Sequence, residues 1–131
     1  MLRALGRAED LNGLVAVDIR WEPDVAAELA SMGIEVLTDD ILDGTGGSLA
    51  NRGDEVDLVV NLAGPFYALG TSGLELAMKL GADYMDICDD VDATEDTLAL
   101  SEQVEQAGIR ALLGMGSAPG TTNILIRAAL D

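Results

Sequence analysis

The stretch VDLVVNLAGPFYALG, residues 56–70, contains the strand end on which the interpretation of this sequence depends. Residues 56–63 form a near-continuous apolar run, which is typical of a strand buried on both faces. The run breaks at Asn61, Gly64 and Pro65, and a helical pattern follows. Small residues at the carboxyl end of a strand allow a ligand to approach the backbone, whereas bulkier turn residues would obstruct it. An ordinary tight turn explains the same residues equally well at this stage.

Strand-like and helix-like segments alternate on both sides of this corner. The predicted strands are GLVAVDI (13–19), GIEVLTD (33–39), VDLVVNLA (56–63), ADYMDIC (82–88) and IRALLGM (109–115). The predicted helices are EPDVAAELASM (22–32), TSGLELAMKLGA (71–82), DATEDTLALSEQVEQAG (92–108, opened by Asp92) and GTTNILIRAAL (120–130). This alternation predicts an α/β fold, a parallel sheet with helices on both faces. Ligands of such sheets bind outside the carboxyl ends of the strands.

Composition limits the class of protein. A chain of 131 residues, 49% of them hydrophobic, is long enough for one domain with an apolar core. No apolar run approaches the ~18 residues of a membrane span, and the opening lacks a signal-peptide core. The single cysteine, Cys88, fits a reducing compartment, so we expect a cytoplasmic protein. A net charge of −17 disfavours binding to nucleic acid or to an anionic membrane.

Residue types also exclude several kinds of site. Without histidine there is no Ser-His-Asp triad, no Cys-His pair and no histidine metal site. The acidic run DICDDVDATED (86–96) suggests a calcium loop, but an EF-hand beginning at Asp86 needs glycine where Val91 stands and glutamate where Thr97 stands. We therefore predict no metal site.

Two residues after the first predicted strand have the chemistry of a dinucleotide site. Asp18 could accept hydrogen bonds from the adenosine ribose, and Arg20 could instead bind a 2′-phosphate, so the pair leaves NAD and NADP open. A G-x-G-x-x-G loop should precede such an acid by about 20 residues. Only Gly6 and Gly13 lie upstream, so we expect the first strand and its glycine loop to be missing. The strands LVAVD and DLVVN would then pair directly or keep exposed edges.

Two other glycine-rich segments are weaker candidates for that loop. GTGG (44–47) lacks the third glycine, since Leu49 stands in its place, and no strand directly precedes it. GMGSAPG (114–120) follows a strand and opens a helix, but its spacing is one residue too long.

Three motifs together carry a resemblance. VVNLAGPFYALG, ADYMDICDD and GMGSAPGTTN resemble, in order and spacing, the N-terminal domain of saccharopine dehydrogenase-like oxidoreductases, over residues from about 13 to the end. The resemblance implies a Rossmann domain that binds NAD or NADP, followed in the family by a larger substrate and dimerisation domain. Residues 1–131 would then be a partial NAD(P)-binding domain, either a fragment or a gene begun at an internal methionine, without that second domain.

The resemblance also implies cofactor contacts at specific positions. At the adenosine end, the ribose would be faced by Asp18 and Arg20, and the adenine would be flanked by Asp40 and Ile41. The part of the cofactor towards the nicotinamide ribose would lie along Ala63, Gly64, Pro65 and Phe66. The nicotinamide end would be bordered by Asp86, Gly114, Met115 and Gly116. The catalytic residues stay unknown, because the substrate domain that would supply them has no counterpart here.

The activity implied for the full-length protein is hydride transfer at a C–N bond. Its partners would be NADP or NAD, with a preference for NADP, and a small amino-acid-derived substrate; a homodimer is compatible with the family. We expect the 131-residue chain alone to bind no dinucleotide tightly and to be inactive. One alternative is a non-catalytic degenerate nucleotide-binding or oligomerisation module, and another is an acidic surface that recruits a basic partner.

Overall fold

The structure is a computed structural model that describes residues 13–43, 49, 52 and 55–130. The chain divides into two compact units, Met1–Asp40 and Ile41–Asp131. The segment GTGG (44–47) and the upstream Gly6 lie outside the described residues.

The first unit is a strand–helix–strand segment. It contains β1 (Val15–Asp18), α1 (Pro23–Ser31) and β2 (Glu35–Thr38), and the two strands pair in parallel. Helix α1 begins at a proline, whose missing N–H is one of the groups that a first helical turn leaves unpaired in any case. Buried Ala16, Leu29 and Ile34 form the core, and the indole Nε1 of Trp21 donates a 2.7 Å hydrogen bond to the carbonyl of Leu37.

The second unit continues the alternation around a three-stranded sheet. Its elements are a 3₁₀ turn (Ile41–Asp43), β3 (Leu58–Asn61), α2 (Phe66–Leu69), α3 (Ser72–Leu80), β4 (Asp83–Asp86), α4 (Val91–Leu98), α5 (Ser101–Ala107), β5 (Ala111–Leu112) and α6 (Thr121–Leu130). The strand order is β3-β4-β5, and both pairings are parallel. The last residues of β3 and β4, Asn61 and Asp86, are partners in the register. This pairing places the carboxyl ends of β3 and β4 side by side at the candidate functional site.

Helix α3 supplies most of the core of the second unit. Leu74 and Ala77, three residues apart on one face, pack with Tyr84 and Ile109. Leu76 and Leu80, four residues apart, form a neighbouring cluster with Ala82. Gly81 ends the helix in the left-handed conformation, with φ of 69°, which a glycine adopts without steric cost.

The structure confirms the predicted fold class. Parallel strands lie in two sheets flanked by helices, as in a Rossmann-like fold. Among the described residues, β1 has β2 as its hydrogen-bonded neighbour within the first unit, and β3 has β4 within the second. None of the helices in the described part of the chain has the length and apolar content that crossing a bilayer requires.

The predicted helix over residues 92–108 needs a correction. It is two helices, α4 and α5, because Ala99 and Leu100 form a turn between them. The prediction that Asp92 opens it is also wrong. Asp90 is the N-cap, and its carboxylate accepts a 2.9 Å hydrogen bond from the backbone N–H of Ala93.

Candidate functional site

The carboxyl ends of three parallel strands meet at one edge of the sheet in the second unit. Asn61 ends β3 and Asp86 ends β4, and Gly114 follows β5 shortly after its last residue. Asn61 and Asp86 are only 6% and 3% exposed. Polar side chains at that depth are costly unless they are hydrogen-bonded, so the arrangement of their partners is informative.

Asn61 joins the corner after β3 to the neighbouring strand. Its amide nitrogen Nδ2 donates a 3.2 Å hydrogen bond to the hydroxyl of Tyr84, and its oxygen Oδ1 accepts a 3.1 Å bond from the backbone N–H of Ala63. A side chain at residue 73 would place its Cβ 2.7 Å from Asn61 Nδ2, so Gly73 on α3 provides the space for this contact. The corner is therefore attached to β4 through one buried amide.

Tyr84 is a buried neutral phenol within this network. Burial raises its pKa above the ordinary value of 10.0, and the donated hydrogen bond from Asn61 partly opposes that shift. The negative charge of nearby Asp86 raises the pKa further. At neutral pH the phenol is therefore protonated, and its oxygen accepts the hydrogen bond from Asn61.

Asp86 attaches the turn after β5 to β4. Its carboxylate oxygen Oδ1 accepts hydrogen bonds from the backbone N–H groups of Gly114, at 2.8 Å, and Cys88, at 3.1 Å. Its backbone carbonyl accepts a third, at 2.8 Å, from Met115. The predicted contacts Asp86, Gly114, Met115 and Gly116 thus lie together. Both hydrogen bonds to the Asp86 carboxylate come from backbone N–H groups of the same chain. Asp86 therefore fixes the position of the turn after β5.

Packing and backbone conformation require two of the three glycines in the segment GMGSAPG, Gly114 and Gly120. Gly120 has φ of 111°, and a Cβ there would lie 2.7 Å from Gly116 N and 2.8 Å from Gly114 O. The first N–H groups of α6 are also engaged, since Thr121 donates to the carbonyl of Gly116 and Thr122 to that of Ser117. These internal contacts leave the segment poorly suited to hold a phosphate, which binds to free N–H groups at a helix N-terminus.

In the corner over residues 63–66, by contrast, the glycine is not required by contacts within the protein. Ala63, Gly64 and Pro65 are exposed, and Phe66, the first residue of α2, is partly buried. A Cβ built on Gly64 would meet nothing within 4 Å, and its φ is outside the positive range. Neither packing nor backbone conformation therefore requires glycine at position 64.

The predicted contacts in the first unit lie at its strand ends. Asp18 is exposed, and its carboxylate accepts a 3.2 Å hydrogen bond from the backbone N–H of Arg20, while its carbonyl accepts from the N–H of Asp39. Asp40, which follows Asp39 in the chain, is exposed like Asp18. Ile41 belongs to the second unit, where it packs against the cluster that contains Leu76.

Sequence reasoning missed Asn61 and Tyr84 as members of the site. The available signal was an asparagine ending an apolar strand, since a buried amide needs partners nearby. Cys88 is buried, with its sulfur 3.5 Å from the Asp90 carbonyl and 3.6 Å from the Thr94 hydroxyl, contacts of a packed side chain. Within the described ranges, no group of three or more acidic or cysteine side chains is placed to hold a metal ion.

Comparison with known proteins identifies the fold and no more. No protein-family model and no curated protein sequence matches the chain. Among solved structures, it is similar to saccharopine dehydrogenase (L-Glu forming) from Saccharomyces cerevisiae in its apo, histidine-tagged form, with a TM-score of 0.71 and 18% identity over 91% of this chain. The chain spans 25% of the length of that enzyme. At this identity the likeness shows a shared Rossmann-like fold.

Proposed function

We propose that this chain is the NAD(P)-binding part of a saccharopine dehydrogenase-like oxidoreductase that transfers a hydride at a C–N bond of an amino-acid-derived substrate. The observation that carries the proposal is the corner over residues 63–66. It is exposed at the carboxyl end of β3, and its Gly64 is needed neither for packing nor for backbone conformation. A ligand lying against the backbone accounts for a glycine in such a place.

The second unit would bind the nicotinamide end of the cofactor. In this proposal, the cofactor contacts the backbone of the corner, Ala63, Gly64 and Pro65, and the ring of Phe66. Asn61 holds the corner through Ala63, and Asp86 holds the turn at Gly114, Met115 and Gly116. The bound nicotinamide would supply the hydride chemistry, and these residues would orient it.

The first unit would bind the adenosine end. Asp18 would accept from the ribose hydroxyls, with Asp40 close to the adenine in this proposal. Arg20 is exposed and would bind a 2′-phosphate if the cofactor is NADP, which we favour slightly. Asp18 would repel the same phosphate, so the preference between the two cofactors is expected to be modest.

Magnetic resonance titration tests the proposal on the chain itself. We expect millimolar nicotinamide mononucleotide to shift the backbone amide signals of Ala63, Gly64 and Phe66. Gly64→Val should remove these shifts by steric exclusion while leaving the fold intact, because a Cβ at this position meets nothing in the protein. Gly13→Val is the matched control, since Gly13 also has open space around it and lies outside the proposed nicotinamide site. Absent shifts, or shifts unchanged in Gly64→Val, would refute the nicotinamide site.

Calorimetric titration with intact NADH and NADPH tests whether these 131 residues hold a phosphate site of their own. We expect no tight binding by the chain, since the sequence upstream of Asp18 lacks G-x-G-x-x-G and the N–H groups at the start of α6 are engaged. A micromolar dissociation constant would instead make GMGSAPG the leading phosphate site.

A non-catalytic nucleotide-binding module is the second candidate. The engaged N–H groups at the start of α6 favour it. Genomic sequence upstream of Met1 separates the two candidates. An in-frame strand ending in G-x-G-x-x-G favours the dehydrogenase, and a stop codon directly upstream favours the module.

A further inference from the structure

The second residue of α3, Gly73, is buried against the side chain of Asn61. A Cβ at residue 73 would lie 2.7 Å from Asn61 Nδ2 and 3.1 Å from the hydroxyl of Tyr84. The φ of Gly73 is outside the positive range, so its backbone conformation is open to any residue. Alanine is also the better helix former. The space needed by the two side chains, and not the helix itself, therefore accounts for glycine at this position.

The amide of Asn61 links this packing to the corner over residues 63–66. Its Nδ2 donates to the hydroxyl of Tyr84, and its Oδ1 accepts a 3.1 Å hydrogen bond from the backbone N–H of Ala63. The amide group is planar and rigid, so these two atoms move together. Asn61 is 6% exposed, and water does not readily replace either partner. The position of the Ala63 backbone thus depends on where the amide of Asn61 lies.

A methyl group at residue 73 would displace that amide. Asn61 Nδ2 would have to retreat by about 0.7 Å to reach ordinary contact at 3.4 Å. The bond from the N–H of Ala63 is already 3.1 Å long, and a contact of ~3.6 Å is no longer a hydrogen bond. A retreat of this size is enough to break it. The corner would then gain conformational freedom that a ligand has to remove on binding.

We propose that Gly73 and Asn61 are positioning residues that set the affinity of the corner over residues 63–66 for nicotinamide. The inference rests on the proposed nicotinamide site and adds to it a determinant that does not touch the ligand, since both residues are buried. The effect passes from the missing Cβ of Gly73 to the amide of Asn61 and then to the N–H of Ala63. A corner held in one conformation before binding loses less freedom when the ligand arrives, which raises its affinity.

Magnetic resonance titration with nicotinamide mononucleotide measures this affinity in variants of the chain. We expect Gly73→Ala and Asn61→Ala each to weaken binding by about threefold to tenfold, as residues that act through others do. Asn61→Ser should recover part of the affinity lost in Asn61→Ala, because a serine hydroxyl can also accept from the N–H two residues on, although more weakly. Solvent exchange of the Ala63 amide in the free chain should be faster in both alanine variants and slower again in Asn61→Ser.

Gly81→Ala is the matched control for a loss of stability. Gly81 ends the same helix with φ of 69°, so alanine is strained there, but its Cβ would meet nothing within 4 Å. This variant should lower the melting temperature and leave both nicotinamide affinity and exchange of the Ala63 amide near those of the unmodified chain. If affinity fell as far in Gly81→Ala as in Gly73→Ala, it would follow stability alone, and the proposal would be wrong.

The titrations separate a failure of this inference from a failure of the proposed function. Absent shifts in the unmodified chain would refute the nicotinamide site and the positioning role together. Shifts in the unmodified chain, with unchanged affinity in Gly73→Ala and Asn61→Ala, would refute the positioning role alone. Circular dichroism checks that each variant folds. If Gly73→Ala does not fold, the comparison of Asn61→Ala with Asn61→Ser decides, and equal affinity in those two variants would exclude the bond to Ala63 as the cause.

Discussion

Replacing Tyr84 with phenylalanine removes one buried oxygen from the centre of the strand-end network. The ring keeps its packing beside Leu74 and Ala77, while Asn61 Nδ2 loses its acceptor at 3.2 Å. Asn61 and Asp86 are both buried, so water does not readily replace the missing hydroxyl. Leaving buried polar groups without a partner costs about 1–3 kcal/mol. We therefore expect Tyr84→Phe to lower the free energy of unfolding by about that amount at neutral pH.

The same phenol makes stability depend on alkaline pH. Because burial raises its pKa in the folded state, the unfolded chain loses this proton first as the pH rises past ~10. The contribution of Tyr84 is complete below that pH and is lost as the pH rises through the folded-state value. For one proton the slope is at most ~1.4 kcal/mol per pH unit. Tyr84→Phe should therefore show a shallower loss of stability above pH ~10.

Urea unfolding followed by circular dichroism, repeated from neutral to alkaline pH, measures both effects. Tyr67→Phe is the matched control, since Tyr67 is the other of the chain's two tyrosines and is 77% exposed. It should leave stability near that of the unmodified chain at neutral pH. It also removes the second phenolate absorbance, so that Tyr84 can be followed alone through unfolding. Equal stability of Tyr84→Phe and the unmodified chain at neutral pH, with parallel alkaline slopes, would refute the network.

Three further predictions concern single positions. Gly120→Ala should destabilise the second unit by about 2 kcal/mol or more in thermal unfolding, because its Cβ would collide with backbone of the loop; Gly64→Ala, with open space, should not. Asp90→Ala should cost about 1 kcal/mol through loss of the N-cap bond, and a larger cost for Asp92→Ala would show that the cap was misassigned. Arg20→Ala in the full-length protein should weaken NADP binding by ~1.5–3 kcal/mol and NAD binding less, whereas equal losses in calorimetry would exclude contact with a 2′-phosphate.

The sequence alone was sufficient for the fold class and for the approximate positions of the five strands and of helices α1, α3 and α6. Its strands are apolar runs, and its helices have apolar residues at the spacing that burial against a sheet requires. Both patterns can be recognised within a short stretch of sequence. Glycines after three helices, Gly33, Gly81 and Gly108, all have positive φ and mark where a helix turns towards a strand. The three motifs that resemble the dehydrogenases likewise lie at the strand ends, where such sheets bind ligands.

The partners of the polar groups were decided by tertiary structure. Asn61 meets Tyr84 and Asp86 meets Gly114 because β3, β4 and β5 pair in a particular register, and these partners are 23 and 28 residues apart in the chain. Glycines that look alike in sequence also differ, since Gly120 is required by backbone of its own loop and Gly64 is not. Local pattern specifies which residues are buried. The register between neighbouring strands specifies which buried groups bond to one another, and that register depends on the packing of the whole sheet.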